Sequence, residues 1–287
     1  MTAAALLGAA SDRLTAAGIE TARLDAEVLL AHALGIGRAG LYARLRDAVA
    51  VAAADRFAVL IERRLRREPV AYLTGEQEFW SLPFAVTPEV LVPRPETELL
   101  VQAGVDMLRS PHPQGEEIPP RAILDLGTGS GCIAIALARE LPDVRVTAVD
   151  RSPAALAVAL RNAERHGVAD RVCFLAGDLY DPLPADAAFD LIVSNPPYLA
   201  PGDEASPELA FEPHVALFAG ADGLEVIRRL IAGAPARLRA GGALLVEIGQ
   251  GQADAVLALV AATDGLTAAR IESDLAGIPR LLIAERP

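Results

Sequence analysis

The chain contains no lysine, so all 26 of its basic residues are arginines, and its net charge is −12. We attribute the missing lysine to genomic base composition rather than to function. The negative charge disfavours non-specific binding to a phosphate backbone, because such binding requires clustered cations. We therefore expect no direct contact with nucleic acid, and enzymes that act on DNA or RNA become a weaker hypothesis.

Cysteine and histidine are scarce as well, with two and four residues. Cys132 and Cys173 lie in apolar runs without a CxxC spacing, so we predict that both are buried, small hydrophobic side chains. The histidines are scattered along the chain without the spacing of metal ligands, and no metal site is expected. They are His32, His112, His166 and His214.

Long apolar runs are missing too, since no stretch approaches the ~20 uninterrupted apolar residues of a membrane helix. The segment Met1–Gly18 is apolar but includes Asp12 and Arg13 and has no basic leader, which predicts no signal peptide and a cytoplasmic location. Hydrophobic residues still make up 52% of the 287 residues, enough to bury a full core.

The segment Met1–Val70 has a helical pattern. Apolar residues recur at helical spacing in Ala4–Ala17, Ala26–Leu34 and Val51–Leu65, which predicts a small bundle. The last of these helices ends in a basic run that is either a solvated face or a docking patch for an acidic partner. The run consists of Arg63, Arg64, Arg66 and Arg67.

The next segment, Tyr72–Val92, has a different pattern. Large apolar residues alternate around Pro83, which predicts a short β-hairpin or an extended linker. These residues are Phe79, Trp80, Leu82, Phe84 and Val86. Pro93–Glu98 then leads into a helix that begins near Thr97. Ser110–Pro120 is rich in proline, glycine and glutamate and predicts a loop.

From Arg121 onward, short apolar strands alternate with helices. Strands are predicted at Ala122–Leu126, Val144–Val149, Val172–Ala176, Phe189–Ser194, Ala243–Ile248, Ala268–Glu272 and Arg280–Ala284. Helices are predicted at Cys132–Leu141, Pro153–His166, Leu224–Leu238 and Gln252–Ala262. Repeated βα units indicate an α/β fold with a mainly parallel sheet covered on both faces. In such sheets the ligand lies at the carboxyl ends of the strands.

A glycine-rich loop follows the first of these strands. Its residues are Gly127, Thr128, Gly129, Ser130 and Gly131. Glycines allow a tight turn and the close approach of a ligand to the backbone. Position 132 is cysteine, so the dinucleotide fingerprint G-x-G-x-x-G is absent, and so is the lysine of a P-loop. Pyrophosphate binding is therefore disfavoured.

Acidic residues follow the next two strands. Asp150 stands at the end of the strand after the glycine loop, where a carboxylate can accept hydrogen bonds from both hydroxyls of a ribose. Its alternative role is to cap the helix after Pro153. Asp178, which follows Gly177, could hydrogen-bond an adenine amine or could simply serve the turn.

The loop and the two acids at the ends of three successive strands resemble the class I S-adenosylmethionine-dependent methyltransferases, over Pro93–Pro287. The resemblance implies a Rossmann-like, seven-stranded, mostly parallel sheet and a glycine loop that wraps the methionine part of S-adenosyl-L-methionine. S-adenosyl-L-homocysteine would be the product. Some members carry an aromatic residue where this chain has Leu179, so we expect weaker stacking on adenine rather than lost binding.

The tetrapeptide Asn195-Pro196-Pro197-Tyr198 follows the strand Phe189–Ser194. Its two prolines fix φ and remove two backbone donors, so that the carbonyls point in rigid directions. A substrate amide can donate to the Asn195 side-chain oxygen and the Pro196 carbonyl, and Tyr198 supplies an aromatic surface for the planar amide. Such alignment suits an in-line methyl transfer, for which near-attack geometry contributes about 7–11 kcal/mol.

This tetrapeptide resembles that of methyltransferases acting on adenine N6 or glutamine N5. Two further regions, with the helical N-terminus, extend the resemblance to the release factor glutamine methyltransferases over essentially the whole chain. They are Glu68–Gly75 through Trp80 with Val92–Glu98, and Phe211–Pro213 with Ala219–Leu224. The resemblance assigns cofactor contacts to Gly127–Gly131, Asp150 and Asn195, and the glutamine site to Asn195–Tyr198.

The same resemblance implies three parts of the chain and a partner. Residues 1–75 would be a helical substrate-docking domain, 76–92 a hairpin or linker, and 93–287 the methyltransferase domain. The implied substrate is the glutamine of the Gly-Gly-Gln motif in class 1 peptide chain release factors. Three alternatives stay open: a ribosomal protein as the methyl acceptor, adenine N6 methylation on nucleic acid, and a catalytically inactive binding module.

Overall fold

The computed structural model describes residues 1–109, 121–203 and 206–287. The predicted loop Ser110–Pro120 lies outside the described residues. Contacts divide the chain into two compact units. Unit 1 comprises Met1–Glu76 with Ala205–Phe211, and unit 2 comprises Gln77–Glu204 with Glu212–Pro287. Within the described residues, no helix has the length and apolarity needed to cross a bilayer.

Unit 1 is helical. Its helices are α1 (Ala3–Ala16), α2 (Ala22–Leu34), α3 (Arg38–Ala43), α4 (Val51–Leu65) and α5 (Val70–Thr74). The Thr2 hydroxyl caps α1 by accepting from the Ala5 amide, and α2 ends at Gly35, whose φ of 66° is left-handed. Leucines of α1 and α2 form the core together with Phe57 and Ile61. The sequence prediction missed α3 and α5, which are too short to show a periodic pattern.

The basic run at the end of α4 is not simply a solvated face, and its role as a docking patch stays a prediction. Arg64 is only 5% exposed, and its guanidinium is 2.7 Å from Asp25 and 2.9 Å from Glu208. Arg63 pairs with Glu68, and Arg67 donates to the carbonyl oxygen of Ala17 at 2.8 Å. Most of the run therefore stabilises unit 1 internally.

A two-stranded hairpin follows the helices, formed by β1 (Glu76–Phe79) and β2 (Leu82–Ala85), and all of it after Glu76 belongs to unit 2. Trp80 and Ser81 turn the chain with φ values of 53° and 56°, the left-handed pair that a two-residue type I′ turn requires. Phe79 and Phe84 are buried and meet edge to face at 6.1 Å. The hairpin thus contributes to the core of unit 2.

Seven strands of the described residues form the main sheet, in the order β5-β4-β3-β6-β7-β9-β8. They are β3 (Arg121–Leu126), β4 (Val144–Asp150), β5 (Val172–Ala176), β6 (Phe189–Ser194), β7 (Leu238–Glu247), β8 (Thr267–Ser273) and β9 (Pro279–Glu285). Neighbours from β5 to β7 are parallel, and β9 is antiparallel to both of its neighbours. The predicted α/β class with a seven-stranded, mostly parallel sheet is confirmed.

Hydrophobic clusters cover both faces of this sheet. The helices of unit 2 are α6 (Glu98–Leu108), α7 (Cys132–Glu140), α8 (Pro153–Arg165), α9 (Glu225–Gly233) and α10 (Ala253–Ala261). The strand order reverses between β3 and β6, since β4 and β5 lie on one side and β7 on the other. Loops at the carboxyl ends of β3 and β6 therefore flank the crevice where α/β sheets bind ligands.

Two predictions about local structure were wrong. The helix expected over Leu224–Leu238 stops at Gly233, because Pro235 has no amide hydrogen to continue it, and Leu238 already begins β7. Cys173 is exposed rather than buried, because β5 is an edge strand of the sheet. Cys132, at the start of α7, is buried as expected, and burial raises the pKa of its thiol to about 12.

Candidate active site

The glycine loop is tied to the end of the neighbouring strand. The amides of Gly127 and Thr128 both donate to the carbonyl oxygen of Val149, at 2.8 and 3.0 Å. The Gly131 amide donates to the carbonyl oxygen of Thr128 at 2.8 Å and closes the turn that starts α7. This leaves the middle of the loop facing the crevice between β3 and β6.

Gly131 is required by both conformation and packing. Its φ is 82°, and an added Cβ would lie 3.0 Å from Ile135 and 3.1 Å from the Cβ of Ala159. A side chain here would push the start of α7 away from α8. Buried Asn162 of α8 also donates to the carbonyl oxygen of Ser130 at 2.9 Å, so this helix supports the loop directly.

Asp150 is held by backbone donors at the carboxyl end of β4. Its Oδ2 accepts from the Gly129 amide at 2.9 Å, and its Oδ1 accepts from the Ser152 amide at 2.8 Å. The cap of α8 is the Ser152 hydroxyl, not Asp150. Each carboxylate oxygen has a second lone pair, so Asp150 can accept from two further hydroxyls.

Asp178 and Leu179 follow β5. The Asp178 carboxylate pairs with Arg229 of α9 at 2.8 Å, and both side chains are substantially exposed to solvent. Leu179 has a φ of 49°, an uncommon conformation for leucine. The expected adenine contact of Asp178 stays a prediction, and an adenine amine would have to share this carboxylate with Arg229.

Buried Asp125, at the end of β3, is hydrogen-bonded to the glycine loop. Its Oδ2 accepts from the Thr128 hydroxyl at 2.6 Å, while its Oδ1 has no hydrogen-bond partner within the described residues. Burial raises the pKa of this carboxyl to about 7.

Asn195 follows β6, directly across the crevice from the glycine loop. The Ser194 hydroxyl donates to the carbonyl oxygen of Leu126 at 2.7 Å, which joins the ends of β6 and β3. The Asn195 side-chain NH2 donates to the Thr97 hydroxyl oxygen at 2.9 Å. Thr97 in turn donates to Glu247 at the end of β7, at 2.6 Å.

Tyr198 is held by residues outside its own tetrapeptide. The Gln252 side chain donates to the Tyr198 carbonyl oxygen at 3.0 Å and accepts from the Gly249 amide at 2.8 Å. A Cβ at Gly223 would lie 2.3 Å from the same carbonyl oxygen. Burial, with a contribution from the Glu247 charge, raises the pKa of the Tyr198 phenol to about 12, so the phenol is protonated at neutral pH.

One cavity of about 390 Å³ brings most of the predicted residues together. They are Gly127, Thr128, Gly129, Ser130, Asp150, Asp178, Leu179, Asn195, Pro196 and Pro197. Two predicted site residues, Gly131 and Tyr198, are not among those that line it. The volume lies within the range of small-molecule sites.

Aromatic residues that were not predicted from the sequence also line the cavity. His214 and Phe218 line it and stack with ring centroids 4.4 Å apart. Buried Glu212 accepts from the Val92 amide at 3.0 Å and pairs with Arg94, so it ties this loop to the segment before α6. Val92–Glu98 and Phe211–Pro213 both carried the family resemblance. That resemblance was the sequence signal that pointed to these two stretches.

Comparison with known proteins identifies both parts of the chain. Residues 5–75 match the family described as the PrmC N-terminal domain, and residues 105–211 match the methyltransferase small domain. A methyltransferase from Pyrococcus furiosus has the same fold as part of the chain, with a TM-score of 0.53 and 17% identity. That likeness covers 78% of this chain and 98% of the other.

Curated sequence relatives identify a narrower family than the fold comparison does. The release factor glutamine methyltransferase of Moorella thermoacetica is 45% identical over 290 residues, covering 100% of this chain and 99% of its own. That of Bordetella pertussis is 48% identical over 261 residues, covering 90% and 93%. With this identity over nearly its whole length, the chain belongs to the release factor glutamine methyltransferase family.

Proposed function

We propose that this enzyme transfers a methyl group from S-adenosyl-L-methionine to a glutamine side-chain amide nitrogen in class 1 peptide chain release factors. The glutamine is that of the Gly-Gly-Gln motif, and the other product is S-adenosyl-L-homocysteine. The observation that carries the proposal is that Asn195, Pro196 and Pro197 line the same cavity as the glycine loop, at the switch point of the sheet. The relatives' names supply the substrate class.

The cavity fits the cofactor by its chemistry. Gly127–Gly131 would hold the methionine part, and the remaining lone pairs of Asp150 would accept from the ribose hydroxyls. Leu179 offers an apolar surface and Asp178 an acceptor for the adenine end. When bound, S-adenosylmethionine supplies a methyl group on an electron-poor sulfur.

The substrate amide needs hydrogen-bond acceptors, because its nitrogen lone pair is delocalised and its two N–H groups must be oriented. Asn195 and Pro196 line the cavity, and we infer that the Asn195 side-chain oxygen and the Pro196 carbonyl serve as these acceptors. Accepting from both hydrogens increases electron density on the nitrogen and fixes its direction. Tyr198 follows these residues in the chain and its phenol is neutral at pH 7, but it does not line the cavity, so its contact with the substrate amide stays a prediction.

The proposal also assigns a role to unit 1. Its helices match the PrmC N-terminal domain and carry no residue of the cavity. We infer that residues 1–75 dock the release factor, that 76–92 is the connecting hairpin, and that 93–287 perform the methyl transfer. A large protein substrate needs such a second contact surface, since one glutamine side chain offers little area.

Methyl-labelled S-adenosylmethionine tests the proposal. The enzyme is incubated with wild-type release factor and with a variant in which the Gly-Gly-Gln glutamine is alanine. Label on the wild type alone is the expected result. If neither release factor takes up label while calorimetry detects cofactor binding, the acceptor is wrong, and ribosomal proteins become the next substrates to test.

A further inference from the structure

The amide of Asn195 is held by two buried side chains that come from distant parts of the sequence. Thr97 is 2% exposed and Glu247 is 3% exposed. The Asn195 Nδ2 lies 2.9 Å from the Thr97 Oγ1, which lies 2.6 Å from the Glu247 Oε2. These three side chains form a linear hydrogen-bond chain from the cavity wall into the protein interior.

The fold explains why these residues meet. Asn195 and Glu247 lie at the carboxyl ends of neighbouring parallel strands, since Ser194 of β6 is paired with Val246 of β7. Thr97 precedes α6 and lines the cavity beside Asn195. The hydrogen-bond chain therefore contacts the Asn195-Pro196-Pro197-Tyr198 tetrapeptide at its first residue.

The direction of the hydrogen bonds is set by Glu247. An ionised carboxylate only accepts, so the single hydroxyl hydrogen of Thr97 is committed to Glu247. The Thr97 oxygen is then left as an acceptor, and Asn195 must present its NH2 group to it. Consequently the Asn195 Oδ1 points away from Thr97 and can accept from a substrate.

This direction matters for the chemistry of an amide substrate. A glutamine NH2 offers two donors and needs acceptors at the cavity wall. If Asn195 were turned over, its own NH2 would face the substrate NH2, so that a hydrogen bond would be replaced by a contact between donors. A wild-type turnover rate thus requires one of the two Asn195 orientations.

We propose that Thr97 and Glu247 are positioning residues that fix the Asn195 side-chain oxygen toward the substrate amide. The proposal rests on the proposed function, and its distinctive consequence is a dependence on the charge of Glu247. A protonated Glu247 can donate to Thr97, which frees Thr97 to donate to Asn195 and allows the amide to turn.

The surroundings of Glu247 bring the protonation of its carboxylate into a pH range in which the enzyme can be assayed. Burial raises the pKa of Glu247 to about 7, opposed by the Thr97 hydrogen bond. The charged and titratable groups around it are Arg280 of β9, Arg94 and Glu96 before α6, Tyr198 after β6, and Cys132 of α7. Lowering the pH through this range therefore favours protonated Glu247, and raising it favours the carboxylate.

Kinetics with two Thr97 variants test the hydrogen bond. Thr97→Val keeps the shape of the side chain and removes the hydroxyl, and Thr97→Ser keeps the hydroxyl. We expect Thr97→Val to lower kcat by about 10- to 100-fold, the range found for partners that orient metal-binding side chains. Cofactor affinity, measured by calorimetry, should be unchanged, and Thr97→Ser should retain most of the activity. Wild-type kcat in Thr97→Val would overturn the proposal.

The pH profile tests the charge. Wild-type kcat should fall as the pH is lowered from 8 to 6. Glu247→Gln should be slower than wild type at pH 8, because its amide can donate as well as accept, and its kcat should be flat over this range. An identical acid limb in both proteins would contradict the role of Glu247.

A spectroscopic measurement separates this proposal from the proposed function. The Asn195 side-chain NH2 resonances can be assigned from their absence in Asn195→Asp. In the wild type they should shift with a midpoint near pH 7, and in Glu247→Gln they should not. This result does not depend on release factor being the acceptor. Wild-type resonances that do not change with pH would overturn the proposal.

Discussion

Asp150 has a double role at the residue scale, since it organises the backbone and still has capacity for a ligand. Its two oxygens accept from the amides of Gly129 and Ser152. The sequence predicted this residue, because it lies at the carboxyl end of a strand next to the glycine loop. It did not predict Thr97 and Glu247, which lie 150 positions apart and meet only through the tertiary fold.

Asp150→Ala should weaken cofactor binding by about 1.5–3 kcal/mol, the range for hydrogen bonds to a charged group. Calorimetry with S-adenosylmethionine measures the loss. Asp143→Ala is the matched control, because Asp143 is an exposed aspartate just before the opposite end of the same strand. An unchanged dissociation constant in Asp150→Ala would refute the ribose assignment.

Gly223→Ala should destabilise the fold by more than the ~1–2 kcal/mol of a left-handed residue alone. Its φ is 71°, and the new Cβ would lie 2.3 Å from the Tyr198 carbonyl oxygen. Gly251→Ala separates the two causes, because Gly251 has a φ of 86° and nothing within 4 Å of its Cβ position. Urea unfolding of both variants measures the difference, and equal losses would remove the packing argument.

At the element scale, hydrophobic periodicity predicted the strands of the main sheet and the helices longer than two turns. It failed where tertiary contacts decide the outcome. Short α3 and α5 have too few residues for a period, and the end of α9 is set by Pro235. The charge pattern of α4 was ambiguous, since nothing local indicates that Arg64 reaches Asp25 on α2.

Arg64→Met should destabilise unit 1 by about 3–5 kcal/mol, because it leaves the buried Asp25 carboxylate without its partner. Arg66→Met, at an exposed position of the same run, should change stability by less than about 0.5 kcal/mol. Urea unfolding monitored by circular dichroism tests both. If Arg64→Met is no less stable than Arg66→Met, the buried ion pair does not hold the helices together.

At the scale of the whole molecule, family membership and fold are established, whereas the roles of individual site residues stay proposals. The cavity lies entirely in unit 2, and the family match of unit 1 supports a separate docking role. The net charge of −12 disfavours non-specific binding to a phosphate backbone.

We therefore expect no gel shift of duplex DNA or of RNA at physiological salt. The cause is the shortage of clustered cations, and a basic DNA-binding protein in the same gel serves as the positive control. A retarded band at this salt concentration would restore adenine methylation as a candidate activity.

We infer that Asn195 holds the substrate amide opposite the glycine loop. The most direct test is the rate of methyl transfer to release factor by Asn195→Ala at saturating S-adenosylmethionine. We expect a fall of about 10²–10³-fold, comparable to the loss of one preorganised hydrogen bond at a reacting group, with cofactor affinity largely retained. A rate close to wild type, or an equal loss of cofactor binding, would contradict it.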